Sequence, residues 1–377
     1  MVRRGHVVVA VAVVVMALTG CSGSGEGTRA APVPSTSRPR ATTTPPTAPA
    51  TVPPTVPRSY APGAFDAVDG ALDQRVADAG AAGGFLRIAD DDGAVIHEHG
   101  VGNVTGSTPL DVASSTKWLT AATFMTFVDQ HAIGLDDDIA RWLPEFAGSV
   151  PPITPRMLLD HTSGVHDNPC QNGGVSLDAC VQTLAGSPRE FAAGTQFSYG
   201  NSPFLVAGRL VEALGGADFA SVVQQRLTGP LGMTSTTWPG APDAPNPAFG
   251  ASTTVDDYGK FVAMLLHGGT AGAARVLSTG AVDEMLRNQV ASYDTTHDYS
   301  VGITGIPRYG LGCWPDVVGA DGATQVVSGN GGKGLYPWID LTSRTWGVIG
   351  VQDERGATLA VPASQRVEVA ARAVVDG

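Results

Sequence analysis

Two apolar segments, Phe85-Leu86-Arg87-Ile88 and Ala94-Val95-Ile96-His97-Glu98-His99, flank Asp91-Asp92-Gly93. The pattern predicts a β-hairpin, because an Asp-Gly pair supplies the positive φ that a tight hairpin turn needs. After it the period changes. Lys117, Ala121, Phe124 and Val128 recur at helical spacing, with Trp118, Ala122 and Met125 alongside, and predict a helix opening near Ser114. A second helix is expected after Asn201, with Phe204, Ala207, Gly208 and Val211 on one face and Gly215-Gly216 as its stop. Strand character returns over 325–327, 336–340 and 345–351, with Thr342-Ser343 as a turn, and a helix over about 364–375 closes the chain. Strands at both ends with helices between them predict one sheet built from the termini and a helical lobe inserted in the middle.

Ahead of this body the pattern is of another kind. Arg3 and Arg4 precede an apolar run over 7–18, too short to span a bilayer as a stable helix, and Leu18-Thr19-Gly20-Cys21 follows. That tetrad resembles the bacterial lipobox, which implies removal of residues 1–20 as a signal peptide and lipidation of the Cys21 sulfur. The expectation is a mature protein held outside the cytoplasmic membrane by an N-terminal lipid. An ordinary secretory signal with an incidental Cys21 is the alternative. Residues 21–62 are rich in Ser, Thr, Pro, Gly and Ala without apolar periodicity, so nothing there repays the entropy of folding. They predict a disordered, semi-extended tether, and residues 63–377 the folded body.

Charge narrows the partners. The 377 residues carry a net −12, yet residues 1–62 hold six arginines against Glu26 alone, so the acidic balance lies wholly in the body. Such a surface repels phosphate backbones and argues against nucleic acid as a partner. Of four cysteines, Cys21 goes to lipid and Cys313 is expected to be buried as a small apolar residue. Cys170 and Cys180, ten residues apart, are expected to form a disulfide that clips a loop. No His or carboxylate cluster stands near them at ligand spacing, and neither a metal nor an organic cofactor is expected.

For nucleophilic chemistry the chain offers few arrangements. A Gly-x-Ser-x-Gly elbow is absent, and the histidines lack an obvious Asp partner. What remains is Ser114-Ser115-Thr116-Lys117 at the start of the first predicted helix. Residues three apart share a helix face, so the Lys117 amine can reach the Ser114 hydroxyl. Free N–H groups and the macrodipole at a helix N-terminus favour a developing oxyanion. A lysine held away from water has a lowered pKa and can take the serine proton. Alone, such a tetrad is most often an ordinary helix cap.

Further stretches change that reading. Val112-Ala113 leads into the tetrad, and Leu135-Asp136-Asp137-Asp138 and Trp142-Leu143-Pro144-Glu145 follow it. Then come Ile153-Thr154-Pro155-Arg156-Met157-Leu158-Leu159-Asp160-His161-Thr162-Ser163-Gly164, Gly194-Thr195-Gln196-Phe197-Ser198-Tyr199-Gly200-Asn201 and Pro230-Leu231-Gly232-Met233. In order and spacing, over roughly residues 80–350, they resemble the class C β-lactamase and penicillin-binding-protein-like serine hydrolases, a family that also holds D-alanyl-D-alanine peptidases and esterases. The resemblance implies an α/β (α+β) fold of the β-lactamase/transpeptidase type, an antiparallel sheet flanked by helices with an inserted all-helical lobe. It implies Ser114 as the acylated nucleophile and Lys117 as its proton-accepting neighbour. Tyr199, as phenol or phenolate, would relay a proton to the leaving group, and Asn201 would orient the lysine and the substrate carbonyl. His161 invites a catalytic role, but the loop that carries it is architectural in the family.

The third family motif departs from the pattern. Counting back from Trp338-Ile339-Asp340 places Gly329-Asn330-Gly331 where the family carries Lys-Thr-Gly or His-x-Gly, so Gly329 replaces the basic residue. Ser328, Asn330 or Lys333 is expected to supply a donor there, with Gly331 beside the substrate and Gly332 offering an oxyanion N–H. The implied reaction is hydrolysis of a small ester or peptide, cell-wall peptide included, through a Ser114 acyl-enzyme. The sequence does not choose among ester, D-alanyl peptide and β-lactam, nor does it fix an oligomeric state. The rival is a non-catalytic lipoprotein that kept the fold and binds wall peptide or a protein partner.

Overall fold

The computed structural model describes residues 58–167, 170 and 174–377; Cys21, the expected signal peptide and residues 22–57 of the expected tether lie outside them. The strands are β1 (Gly83–Asp90), β2 (Val95–Gly102), β3 (Leu110–Asp111), β4 (Ser252–Thr253), β5 (Thr270–Ala271), β6 (Ala274–Arg275), β7 (Trp314–Val318), β8 (Thr324–Ser328), β9 (Leu335–Asp340) and β10 (Thr345–Val351). Six of them form one antiparallel sheet in the order β2-β1-β10-β9-β8-β7. The first hairpin is the predicted one, with Gly93 at φ 79° in its turn. Its inner strand pairs with the last strand of the chain, Leu86 opposite Ile349.

Helices cover both faces of the sheet. In chain order they are α1 (Asp66–Ala79), α2 (Thr116–Asp129), α3 (Pro155–Leu159), α4 (Leu177–Gly186), α5 (Ser202–Gly215), α6 (Phe219–Val223), α7 (Val255–Leu266), α8 (Thr279–Leu286), α9 (Tyr299–Thr304) and α10 (Ala357–Val375). From α1 and α10, Val68, Leu72, Val361 and Val367 pack with Leu86, Ile88, Tyr336, Trp338 and Ile349 on one face. On the other, Val327, Leu335, Ile339, Trp346 and Val348 join the larger core with α2 and α7. Covered on both sides, β9 and β10 are buried along their whole length, with Asp340 and Thr345 as polar residues where the two strands join.

At the centre, α2 is buried without a break from Thr116 to Phe127. A helix that is apolar all round belongs to a core, and its hydroxyls need acceptors there. Thr120 donates to the Pro247 carbonyl and Thr123 to that of Leu119. Lys117 is thereby carried into the interior by the helix it belongs to.

Several expectations need correction. The last helix begins at Ala357 rather than near 364, because it accommodates Pro362 in its second turn, where sequence reading stops a helix. Residues 58–62, assigned above to the tether, pack on the body: Arg58 donates to the Val375 carbonyl at 3.2 Å, and Tyr60 meets Phe65 edge-on. Neither α1 nor β7 was anticipated. Cys170 and Cys180 are disulfide-bonded, and Cys313 is free and buried.

Candidate active site

The chain enters α2 through a 3-10 turn, Ala113–Ser115, whose first residue lies at φ 45°. That backbone costs a non-glycine residue roughly 1–3 kcal/mol and persists only where its surroundings impose it. Here they do. Ser115 Oγ donates to the Gly329 carbonyl at 2.6 Å, and the Tyr258 hydroxyl donates to that of Ser115 at 2.8 Å. Thr116 Oγ1 donates to the Ala113 carbonyl at 2.7 Å and accepts from the Ala251 N–H at 3.0 Å. These bonds hold Ser114 half-buried at the wall of a pocket of about 110 Å³.

Lys117 Nζ lies 3.4 Å from Ser114 Oγ and donates to Asn201 Oδ1 at 2.8 Å and to the Ala248 carbonyl at 3.2 Å. Its complete burial lowers the amine from 10.5 to about 7, with the charge of Asp167 pulling the other way. The Tyr199 hydroxyl hydrogen-bonds Ser114, yet burial raises its pKa above the usual 10 and keeps it a phenol near neutrality. Around Ser114 the protein presents one proton acceptor, the amine, and one proton donor, the phenol.

The bend Tyr199-Gly200-Asn201 is anchored from outside. Tyr199 N–H donates to Asp298 Oδ2 at 2.9 Å, while the N–H groups of Asn201 and Ser202 both reach Asp167 Oδ1, at 2.9 and 2.8 Å. His161, at φ 63°, packs its ring 4.5 Å from that of Tyr199 and 4.8 Å from that of Tyr309. Burial, with the Lys117 charge nearby, holds the imidazole well below its usual pKa and so neutral. It stands behind Tyr199 as support, outside the pocket lining.

The third motif is where the sequence register fails. At Gly329 a Cβ would stand 2.3 Å from Trp118 Cε3, so that position faces the core. Asn330 turns to the pocket instead, 6% exposed, and its Nδ2 finds no partner among the described residues. Gly332 also lines the pocket, whereas a Cβ at Gly331 would come within 2.1 Å of the Val112 carbonyl, packing that residue under the nucleophile turn. Lys333, expected as a donor there, is placed outside the pocket lining, its amine 3.1 Å from Asp111 and 3.9 Å from Glu354. Ser328 Oγ is committed to Asp316 Oδ1 at 3.0 Å. Among the described residues, no lysine or arginine lines the pocket.

The remaining walls had no signal in the sequence. Tyr299 and Ile303 come from α9, Trp314 from β7, and Ala357 and Val361 from α10. They converge only through tertiary packing. Among the described residues, no group of three or more His, Cys, Asp or Glu is placed to hold a metal ion, and no helix is long and apolar enough to cross a membrane.

Comparisons with known proteins bear on the family and the fold. The family model described as Beta-lactamase matches residues 68–371. Protein Rv1367c of Mycobacterium tuberculosis is 26% identical over 315 residues, which is 67% of this chain and 78% of that one. Esterase EstB of Burkholderia gladioli is 33% identical over 143 residues, 32% of this chain and 36% of its own. A solved structure from Bacteroides dorei superposes with a TM-score of 0.76 at 29% identity, covering 85% of this chain and 100% of the other.

Proposed function

The chain belongs to the Beta-lactamase family, and from that membership we propose a serine acyl hydrolase that cleaves small neutral esters through a Ser114 acyl-enzyme. Ser114 Oγ adds to the ester carbonyl while Lys117 takes its proton. The N–H groups of Ser114 and Gly332 hold the oxyanion. As the carbon–oxygen bond to the alcohol breaks, Tyr199 gives its phenolic proton to the departing alkoxide and recovers one from the Lys117 ammonium. Water then adds to the acyl carbon, again losing a proton to Lys117. Ser114 departs with a proton restored to its oxygen, and the carboxylic acid is released.

One observation carries this reading: a fully buried lysine amine lies 3.4 Å from the serine hydroxyl, and that burial pulls its pKa down from the ordinary value. A protein that only binds peptide gains nothing from so costly a burial. The preference for neutral esters rests on the pocket. It is small, walled by Tyr199, Tyr299, Trp314 and Ile303, and the polar side chain at the third motif is the uncharged Asn330. A substrate carboxylate would forgo a charge-assisted hydrogen bond worth roughly 1.5–3 kcal/mol, or about one to two decades in rate. The esterase relative supports the same class.

The test is acyl transfer by purified protein. Hydrolysis of p-nitrophenyl acetate is expected to exceed that of a cephalosporin, and a fluorophosphonate probe to label the protein but not its Ser114→Ala variant. No label with any acylating probe would sink the proposal and favour the binding rival.

A further inference from the structure

We propose that Asp167 is a positioning residue of this site, fixing Asn201 in place and setting the charge field at Lys117. The inference rests on the acyl-enzyme reading above. It starts from a helix cap that is missing where it should be. Asn201 occupies the N-cap of α5, and asparagine is among the best capping residues, yet its side chain makes no capping bond. Its Oδ1 is committed to the Lys117 amine at 2.8 Å. The N–H groups at the start of α5 still require an acceptor, and Asp167 Oδ1, 35 positions upstream, takes those of Asn201 and Ser202 together. The carboxylate thus releases the asparagine amide for the lysine.

Gly200 makes room for this arrangement, since a Cβ there would lie 2.8 Å from Asp167 Oδ1. The residue between Tyr199 and Asn201 is small because the carboxylate sits against it. Charge supplies the second half of the role. The other groups that face the Lys117 amine are neutral near pH 7: the Ser114 hydroxyl, the Tyr199 phenol, the Asn201 amide and the His161 imidazole. Asp298 accepts from the Tyr199 N–H at the same bend. Asp167 is the charge that acts on the amine directly and offsets part of the effect of its burial. Without it the ammonium form is less favourable, so Lys117 must lose its proton at lower pH.

The chain has three lysines, Lys117, Lys260 and Lys333, so each can be followed by ¹³C NMR of ε-labelled lysine in the intact protein. Asp167→Asn keeps an oxygen for the two N–H groups and removes the charge. The Lys117 midpoint is expected to fall by roughly half a pH unit to one unit, a modest shift because the carboxylate is partly solvated. Gly200→Ala, which pushes the carboxylate aside without changing any charge, is expected to move the midpoint in the same direction. The acid limb of ester hydrolysis should move with it. An unchanged midpoint in Asp167→Asn overturns the proposal, as does an upward shift. Absence of ester hydrolysis in the wild type would count against the proposed reaction, while the lysine midpoints would still decide the role of Asp167.

Discussion

Replacing Lys117 by Met should make the protein more stable and abolish its chemistry. In the unfolded chain the amine titrates at 10.5, and in the folded site at about 7. A depressed lysine pKa means that the unfolded state binds more protons between those values. Stability therefore rises with pH across that window, and the penalty is fully present below it. At pH 7 the linkage costs the fold about 4 kcal/mol, and at pH 9 about 2 kcal/mol. Methionine has similar reach and no charge, so it removes this penalty. It also leaves the buried Ala248 carbonyl without its donor, a cost of about 1–3 kcal/mol. The net expectation at pH 7 is a gain of about 2 kcal/mol, read by urea unfolding of both proteins. The gain should shrink by about 2 kcal/mol at pH 9, while ester hydrolysis falls by at least ~10²–10⁴. A Lys117→Met protein that is less stable at pH 7, or whose difference from wild type is the same at both pH values, would refute the reasoning.

Other perturbations probe the corrected third motif and the cysteines. Gly329→Ala should lower the unfolding free energy by about 1–3 kcal/mol in urea titrations, since the new methyl overlaps Trp118; a neutral result would place that position elsewhere. Asn330→Lys should raise kcat/KM for a carboxylate-bearing cephalosporin relative to a neutral ester by about one to two decades, and an unchanged ratio would remove Asn330 from the substrate's path. Peptide mapping without reductant should recover Cys170 joined to Cys180 and Cys313 as a thiol that alkylates only after unfolding; a linkage through Cys313 would contradict the described core.

How much of this was legible in the sequence follows from how local each signal is. The first hairpin was readable because Gly93 must take a positive φ between two apolar segments. The tetrad and the Tyr-Gly-Asn bend were readable as motifs, and the structure brings Ser114, Tyr199 and Asn201 to one pocket, with the buried Lys117 amine behind them, bonded to Asn201 and 3.4 Å from Ser114. The direction of a side chain in the segment that follows β8 after Ser328 was not readable. Counting places a residue along the segment, whereas Trp118, more than two hundred positions away, decides which position faces the core. Asp167 escaped notice for a similar reason: its partners lie 34 and 35 positions away, and an aspartate in a loop reads as a turn residue. The walls from α9 and α10 carry no pattern, because any small or apolar side chain at those places serves.

The bonds that hold the nucleophile turn have a bearing on when the protein becomes reactive. Ser115 reaches Gly329 across 214 positions, Tyr258 reaches Ser115 across 143, and Lys117 reaches Ala248 across 131. Contacts of such sequence separation form late, after the entropy of closing long loops has been overcome. Until they form, Lys117 is in water, an ordinary ammonium beside an ordinary alcohol. On the acyl-enzyme reading proposed above, nucleophilicity is therefore a property of the finished chain, because a partly unfolded polypeptide holds the same serine and lysine with the amine still in water. Drying of the amine thus depends on long-range contacts of the finished fold.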